Sequence, residues 1–467
     1  MNLTTLIRRI ASAGLLSGAL LAGGGVIWTS AANAADYLPG VVLVGYDQPG
    51  VPASADRAVA AAVDAGSPPT SMATKVVRVP RGMTLSADLK RLRRRRGIAF
   101  AVPDYLARIA GASPPEWIPN DPGTAGVPGG WQRTQWNFLP GFGVDAPEAW
   151  ANLSAEGRPG ARGVVIAVLD TGVAYRNWHQ FRKSPDFDWT RFVDPWDFLA
   201  NNRYPLDREG HGTFVTGTIA ESTGNRFGLT GLAYGASIMP VRVLNRSGWG
   251  DAATIANGIR YAVYHGAKVI NLSLEFDSSV TAGEIPSILS AIRYAHQHGV
   301  VVVGASGNEG SMRIAYPARA SDVISVGATT YDGCLAYYSN QGHRLDLVAP
   351  GGGDDTSLAT DPNCHPVRNL PDIYQLTFAN PLKPSHFSYP GGWYGTSMAA
   401  PHVAAAAAMV IASGVLGRHP SPGQILTRLE QTAQPLGGSQ PNSEYGWGLI
   451  DIGKATAPPG TPAAGPS

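Results

Sequence analysis

The chain has 467 residues, of which 44% are hydrophobic and 15% are charged, and its formal net charge is +2. This is the composition of a globular protein, and the length allows two or three domains. The low net charge gives no reason to expect nucleic acid as a partner.

The N-terminus has the pattern of a signal peptide. Arg8 and Arg9 precede an apolar stretch from Ile10 to Trp28, and Ala32-Asn33-Ala34 supplies the small residues of a cleavage site. We therefore expect residues 1–34 to be removed and the protein to be secreted, to the medium or to a periplasm. Because the apolar stretch is rather long, an uncleaved anchor is the alternative. No other run in the sequence is long and apolar enough for a stable membrane anchor.

Residues 35–113 are predicted to form a separate small α+β domain with the order β-α-β-α-β. We interpret the basic run Arg93–Arg96 as a solvated helix face, and a processing site or a nucleic-acid contact as the alternatives. The predicted segments are the strands Val41–Tyr46, Lys75–Val79 and Ile98–Val102 and the helices Ala53–Ala65 and Ser86–Arg95.

Charge is divided unequally between this domain and the rest of the chain. Residues 35–113 contain 11 basic and 6 acidic residues, whereas residues 114–467 contain 23 basic and 28 acidic residues. The net charges are therefore +5 and −5, and opposite charges favour docking and speed encounter.

Residues 114–456 are predicted to form a larger α/β domain, after a proline-rich linker that runs from Ser113 to Pro122. Apolar strand-like runs alternate there with helical patterns, which indicates a parallel sheet covered on both faces. The Pro/Ala/Gly-rich tail 457–467 is predicted to be disordered. The predicted strands are Val164–Leu169, Ile238–Leu244, Val269–Ser273, Val300–Ala305, Val323–Val326 and Leu345–Ala349, and the predicted helices are 211–222, 251–265, 283–298 and 397–413.

The first of these strands ends in a carboxylate. Val164–Leu169 is a continuous apolar run, typical of a strand buried on both faces, and Asp170-Thr171-Gly172 follows it. Catalytic groups of open α/β sheets gather at the carboxyl ends of strands. Asp170 is therefore a candidate for a catalytic side chain, and an aspartate that only caps the next turn is the alternative.

One histidine stands between two glycines at the start of a helical pattern. Gly210-His211-Gly212 lets other backbone segments approach the ring closely, so we predict that His211 is a catalytic base. The competing candidate is His402, which lies within a later helix pattern and which we interpret as packing its own segment.

Two cysteines, Cys334 and Cys364, are the only ones in the chain. In an exported protein such a pair favours one disulfide, with two free thiols as the alternative. A loop of this length would contribute about 3–4 kcal/mol in the chain-entropy model.

A serine stands at the start of the most apolar helix pattern. The sequence Gly395-Thr396-Ser397 places it after a tight glycine turn, and an alanine-rich run continues to Ile411. The backbone N–H of Ser397 lies at the positive end of the predicted helix, where negative charge is stabilised. Ser397 is therefore the candidate nucleophile of an acyl transfer, and its N–H is half of an oxyanion site.

The order Asp170, His211, Ser397 is the order of the subtilisin triad. The blocks V-L-D-T-G, G-H-G-T-x-V-x-G-T-I-A and G-T-S-M-A-A-P-H resemble the three signature blocks of the subtilisin-like serine proteases, the subtilases. The resemblance implies a three-layer α/β fold with a mostly parallel sheet, preceded by a small ferredoxin-like α+β prodomain that acts as inhibitor and chaperone. It also implies a self-processed serine endopeptidase that acts on peptides as a monomer without a catalytic cofactor.

The resemblance also assigns roles to residues outside the triad. In Val300–Gly310, a strand that runs into a glycine-rich loop, Asn308 matches the asparagine that donates to the oxyanion together with the Ser397 N–H. The segments expected to bind substrate are Ser247, Gly248, Trp249 and Gly250, then Leu272, Ser273, Leu274 and Glu275, and, for the residue before the cleaved bond, Ala305, Ser306, Gly307 and Ala315.

Three features depart from the pattern of many subtilases. Phe214 stands where many have a second histidine, and the loop from Asn308 to Tyr316-Pro317 is shorter than in several relatives. Glu275 replaces a common glycine, so its carboxylate could favour a basic substrate side chain, or it could simply point to solvent. These departures leave substrate specificity open.

Subtilases often bind structural calcium, and this resemblance makes a calcium site possible here without fixing its ligands. Two other hypotheses about the activity stay open. The protein could be a maturation protease with one partner substrate, or an inactive binding protein on the same scaffold. For an active enzyme, the ordinary histidine pKa predicts activity above about pH 6.5. The oxygen-rich candidate pairs for calcium are Asp186/Asp188, Asp194/Asp197, Asn201/Asn202 and Asp354/Asp355.

Overall fold

The computed structural model describes residues 37–46, 74–80, 82–105, 117–356, 358, 361, 364 and 369–458. The chain divides into two compact units, residues 1–109 and 110–467. The predicted signal peptide, the helix expected at Ala53–Ala65, the region between about Leu106 and Glu116 where we expect self-processing, and most of the C-terminal tail lie outside the described residues.

The first unit contains a three-stranded antiparallel sheet in the order β2-β1-β3 and one described helix, α1. The helix packs through Leu92 into a small core with Val42, Val44 and Ala101. Its strands and helix are β1 Tyr37–Tyr46, β2 Thr74–Arg78, α1 Leu85–Arg93 and β3 Ile98–Tyr105. The α+β character predicted for this part of the chain is confirmed.

The second unit is built on an eight-stranded sheet in which every strand pair is parallel. The order is β11-β10-β9-β8-β4-β7-β5, and β6 also pairs with β7. The strands are β4 Val165–Asp170, β5 Arg191–Phe192, β6 Trp196–Asp197, β7 Ser237–Arg242, β8 Val269–Leu272, β9 Val301–Ala305, β10 Ile324–Thr329 and β11 Leu347–Pro350.

Helices cover both faces of this sheet, which gives the predicted three-layer fold. Alternate residues of β4 point to opposite faces, so Ile166 and Val168 join one hydrophobic core while Ala167 and Leu169 join another. The helices are α2 Ala146–Ala155, α3 His211–Ala220, α4 Ala252–Tyr264, α5 Pro286–Gln297, α6 Thr396–Ser413, α7 Pro422–Thr432 and α8 Ile452–Thr456, and a small hairpin joins β12 Thr377–Phe378 to β13 Phe387–Ser388.

The position of the central helix α6 accounts for its apolar composition. Contrary to our expectation that only the N-terminal run is so apolar, α6 is, among the described residues, a helix that is long and apolar enough to cross a membrane, yet its residues are buried against the sheet and the neighbouring helices. A helix that is buried on all sides has apolar residues on every face. His402 lies within it, fully buried, and its Nδ1 bonds to the Met398 carbonyl oxygen at 2.8 Å. Its Nε2 lies 2.9 Å from Nδ2 of Asn137, so His402 contacts a distant segment as well as its own helix.

Cys334 and Cys364 form a disulfide. Both residues are buried, and their Cα atoms lie 5.5 Å apart, a distance that is ordinary for this bond.

Candidate active site

Asp170 and His211 meet at the point where the strand order of the sheet reverses. β4 lies between β7 and β8, so the chain passes to one side of β4 first and to the other side later. Crevices of open α/β sheets form at such switch points, outside the carboxyl ends of the strands. Asp170 is the last residue of β4, and its Oδ1 lies 2.8 Å from Nδ1 of His211.

The helix that carries His211 is fixed at its first turn. Asp207 accepts hydrogen bonds from the backbone N–H groups of Gly210 and Thr213, which satisfies donors that have no partner within the helix. A Cβ atom on Gly212 would lie 2.1 Å from the carbonyl oxygen of Gly172, so only glycine lets the turn after β4 come this close. Sequence reasoning missed Asp207, although an aspartate just before a helix is a recognisable cap.

Carboxylates surround the His211 imidazole and change its pKa. Burial alone would lower that pKa, but Asp170, Glu209 and Asp207 favour the protonated ring, and together they raise the pKa to about 9. Glu209 also accepts the backbone N–H of His211 at 2.7 Å. We therefore expect His211 to become neutral at a higher pH than the 6.5 of an ordinary histidine.

Ser397 lies in the first turn of α6 and exchanges two hydrogen bonds with Ser273. The Ser273 hydroxyl donates to the Ser397 carbonyl oxygen at 2.8 Å, and the Ser397 hydroxyl donates to the Ser273 carbonyl oxygen at 3.3 Å. The Ser397 hydroxyl thus points to Ser273 and not to His211. The candidate nucleophile and the candidate base line the same cavity, and contacts between such groups are often long in ligand-free enzymes.

Pro401 explains why the carbonyl group of Ser397 is free to accept this bond. In a regular helix the N–H of residue 401 would bond to the carbonyl oxygen of residue 397, and proline has no N–H. Ser273 takes the place of that donor. The proline in the block Ala400-Pro401-His402 is a signal in the sequence that could have pointed to this contact.

Asn308 is held by the residue before Ser397. Its Oδ1 accepts hydrogen bonds from the Thr396 N–H at 2.8 Å and from the Thr396 hydroxyl at 3.0 Å. Its Nδ2 donates to Oε1 of Glu275 at 3.3 Å. The structure therefore brings Asn308 beside the start of α6, with Glu275 on its donor side.

The cavity at His211 and Ser397 has a volume of about 440 Å³. Seven of the predicted substrate-binding residues line it: Ser247, Gly248, Trp249, Gly250, Ser273, Leu274 and Glu275. Leu272, Ala305, Ser306 and Ala315 are buried nearby in the sheet and the loops that follow it, and Gly307 lies against Glu275. Further residues that the sequence reasoning did not single out complete the lining: Thr171, Glu209, Leu244, Ile255, Phe276 and Asp277.

Phe214 packs against an aromatic side chain that the sequence reasoning missed. Its ring stacks on Trp393 with centroids 4.8 Å apart, and Trp393 also lies 6.1 Å from the His211 ring. A tryptophan four residues before Ser397 in the sequence was the available signal. The position that many subtilases fill with histidine therefore serves packing beside the candidate base.

Family comparison agrees with this geometry. Residues 161–448, more than half of the chain, match the profile of the peptidase S8 subtilase family. The chain belongs to the subtilase family. It is therefore a serine-type endopeptidase. Residues 28–104 of this subtilase match the fervidolysin N-terminal prodomain, which is the arrangement of a zymogen, and this match overlaps the end of the predicted signal peptide.

Similar proteins are bacterial proteases. The thermophilic serine proteinase of Bacillus sp. (strain AK1) is 32% identical over 362 residues, which is 78% of this subtilase and 74% of that protein. Thermitase of Thermoactinomyces vulgaris is 34% identical over 300 residues, 63% of this chain and 88% of thermitase. A solved protease structure from Pseudoalteromonas arctica is 28% identical and covers 73% of this chain and 99% of that one, with a TM-score of 0.58.

Proposed function

We propose that this subtilase hydrolyses peptide bonds through an acyl-enzyme with Asp170, His211 and Ser397 as its triad. The observation that carries the proposal is the hydrogen bond from Asp170 to His211, together with the cavity that both His211 and Ser397 line. Asp170 holds the imidazole with its proton on Nδ1, which leaves Nε2 free to accept a proton.

The proposed reaction follows from these positions. The Ser397 hydroxyl turns from the Ser273 carbonyl oxygen to His211, loses its proton to Nε2 and attacks the carbonyl carbon of the substrate. The Ser397 N–H and the Asn308 side chain hold the oxyanion that forms. His211 then protonates the leaving amine, and water hydrolyses the acyl-enzyme by the reverse sequence.

Covalent labelling tests this assignment. A fluorophosphonate should label Ser397 in the mature protein, and peptide mapping should locate the adduct. His211→Ala should slow labelling strongly, whereas His179→Ala, at an exposed loop position, should not. No adduct on Ser397 would contradict the triad and would favour an inactive binding protein instead.

We propose further that the protein is secreted and that residues 35–113 act on the peptidase domain as inhibitor and folding chaperone. The signal-peptide pattern of residues 1–34, the prodomain match and the charges of +5 and −5 support this proposal. The N-terminus of the secreted form, determined by Edman sequencing, should lie between about residues 106 and 116. A mature protein that still begins near residue 35 would contradict removal of the prodomain.

We also propose a structural calcium ion near Asp186. Among the described residues no group of three or more His, Cys, Asp and Glu side chains can hold a metal by itself, so amide and backbone oxygens would have to complete the site. Asp186, Asp121 and Glu221 are all buried. Burial, with the charges of Asp121 and Asp188, raises the pKa of Asp186 to about 8, and burial with the charge of Asp186 raises the pKa of Glu221. Oε2 of Glu221 has no hydrogen-bond partner.

Removal of calcium tests that proposal. A divalent cation beside these carboxylates would stabilise their charged forms, so EGTA should lower the Tm of the mature protein. Asp186→Asn should lower the Tm and abolish the effect of EGTA, whereas Asp194→Asn should preserve it. A Tm that does not respond to EGTA in the unmodified protein would contradict the site.

A further inference from the structure

Glu275 accepts a hydrogen bond from the side-chain N–H group of Asn308, the same group that the proposed function assigns to the oxyanion. Its Oε2 accepts the backbone N–H of Asn308 at 3.0 Å, and its Oε1 accepts the side-chain Nδ2 at 3.3 Å. A carboxylate therefore stands, in the ligand-free protein, where Asn308 should meet the negatively charged oxygen of the reacting substrate.

Asn308 cannot easily present another donor to the substrate. Its Oδ1 is held by both the N–H and the hydroxyl of Thr396, which fixes the amide plane and leaves Nδ2 facing Glu275. The substrate oxyanion and an ionised Glu275 would compete for this N–H group. They would also repel each other, since like charges at close range in a poorly solvated site destabilise one another.

The charged side chains near Glu275 are mostly acidic. The described residues that line the cavity include three carboxylates, Glu209, Glu275 and Asp277, and neither lysine nor arginine, and the one histidine among them, His211, is already paired with Asp170. Burial, followed by the charge of Glu309, raises the pKa of Glu275 to about 7. Glu275 therefore has no lysine or arginine partner in the lining of this cavity, and a basic side chain of the substrate can take that place.

We propose that Glu275 selects substrates with lysine or arginine immediately before the cleaved bond, and that this ion pair withdraws its carboxylate from Asn308. The inference rests on the proposed function, because it takes Asn308 as the oxyanion donor. A basic side chain gains a charged partner and at the same time frees Nδ2 of Asn308. A neutral side chain does neither, so Glu275 stays on Asn308 and the oxyanion is less well stabilised.

Matched peptides test the selection. Four peptides that differ only in the residue before the cleaved bond, arginine, lysine, glutamine or leucine, are compared with the unmodified protein, Glu275→Gln and Glu275→Gly. The unmodified protein should cleave the arginine peptide with a kcat/KM at least about tenfold above that for glutamine, and Glu275→Gln should reduce this ratio about tenfold. Glu156→Gln removes an exposed carboxylate outside the cavity and should leave the ratio unchanged.

Separate measurement of kcat and KM tests whether Glu275 acts through Asn308. Glutamine at position 275 keeps an oxygen that can accept from Nδ2, whereas glycine removes it. Glu275→Gly should therefore raise kcat for the leucine peptide severalfold, and more than Glu275→Gln does. An unchanged arginine-to-glutamine ratio in both variants, or an unmodified protein that prefers leucine, would overturn the inference.

Fluorophosphonate labelling of Ser397 separates this inference from the proposed function. If all three proteins are labelled and none prefers arginine, the triad stands and the role of Glu275 is wrong. If the unmodified protein is not labelled, the proposed function fails and the inference fails with it. Labelling of both variants also shows that they fold.

Discussion

At the scale of single residues, the carboxylates around His211 set the pH at which it can act as a base. A base must be neutral, and the pKa of His211 is raised to about 9, so activity is gained as pH rises through that value. We expect the acid limb of kcat/KM to lie well above pH 6.5. A limb at or below pH 6.5, measured with a peptide substrate, would contradict this electrostatic account.

A substitution at Glu209 tests whether its charge contributes to that pH profile. Glu209→Gln keeps an oxygen that can accept the His211 N–H but removes a negative charge, so the acid limb should move to lower pH. Glu284→Gln, which removes an exposed carboxylate that does not line the cavity, should leave the limb in place. Identical limbs in all three proteins would show that Glu209 does not act on His211.

Asn308 should act on the transition state and not on substrate binding. Loss of one oxyanion donor in subtilisin costs about 10²–10³ in kcat. Asn308→Leu should therefore lower kcat by about that factor and leave KM nearly unchanged, whereas Asn380→Leu, in an exposed loop, should have no effect. A kcat within about threefold of the unmodified value would remove Asn308 from the proposed mechanism.

At the scale of elements, sequence pattern predicted the strands and helices that are long and buried. The apolar run Val164–Leu169 and the alanine-rich run after Ser397 are unambiguous because burial on every side leaves no polar residue to interrupt them. The two-residue strands β5, β6, β12 and β13 are too short to have a periodicity. Helices α2, α7 and α8 were not predicted either, and the shortest of them, α8, has only five residues.

The contact of Ser273 with helix α6 gives a prediction at this scale. Ser273→Ala would leave the Ser397 carbonyl oxygen without its donor and should lower the free energy of unfolding by about 1–3 kcal/mol. In a Pro401→Ala background the new N–H of residue 401 can bond that oxygen, so the same substitution should cost less.

Urea unfolding of chains that also carry Ser397→Ala, to prevent self-cleavage, measures both losses. The predicted coupling between Ser273 and Pro401 appears as the difference between them. Equal losses in the two backgrounds would show that the proline does not create the need for Ser273.

At the scale of the whole molecule, the sequence predicted the fold and the candidate triad because each triad residue has a distinctive local setting. Asp170 ends a buried strand, His211 stands between glycines, and Ser397 begins an apolar helix. The contacts that adjust the site join distant segments: Glu275 is 33 residues from Asn308, and Ser273 is 124 residues from Ser397. Local pattern carries no information about such pairs, so only the fold reveals them.

The opposite charges of the two predicted domains lead to a prediction for inhibition. Added to the mature enzyme, residues 35–113 should inhibit less strongly as salt rises, since salt screens the attraction between net charges of +5 and −5. A variant with Arg94, Arg95 and Arg96 changed to glutamine should show a weaker salt dependence. An inhibition constant that is the same at low and high salt would exclude an electrostatic contribution.

The most direct test of the account is the fate of the chain that carries Ser397→Ala. If Ser397 is the nucleophile, this chain should keep its prodomain, as intact mass would show, and should cleave no peptide substrate. The chain with Ser413→Ala, which changes a serine at the far end of the same helix, should mature and cleave normally. Removal of the prodomain from purified Ser397→Ala protein, with no other protease present, would contradict the triad.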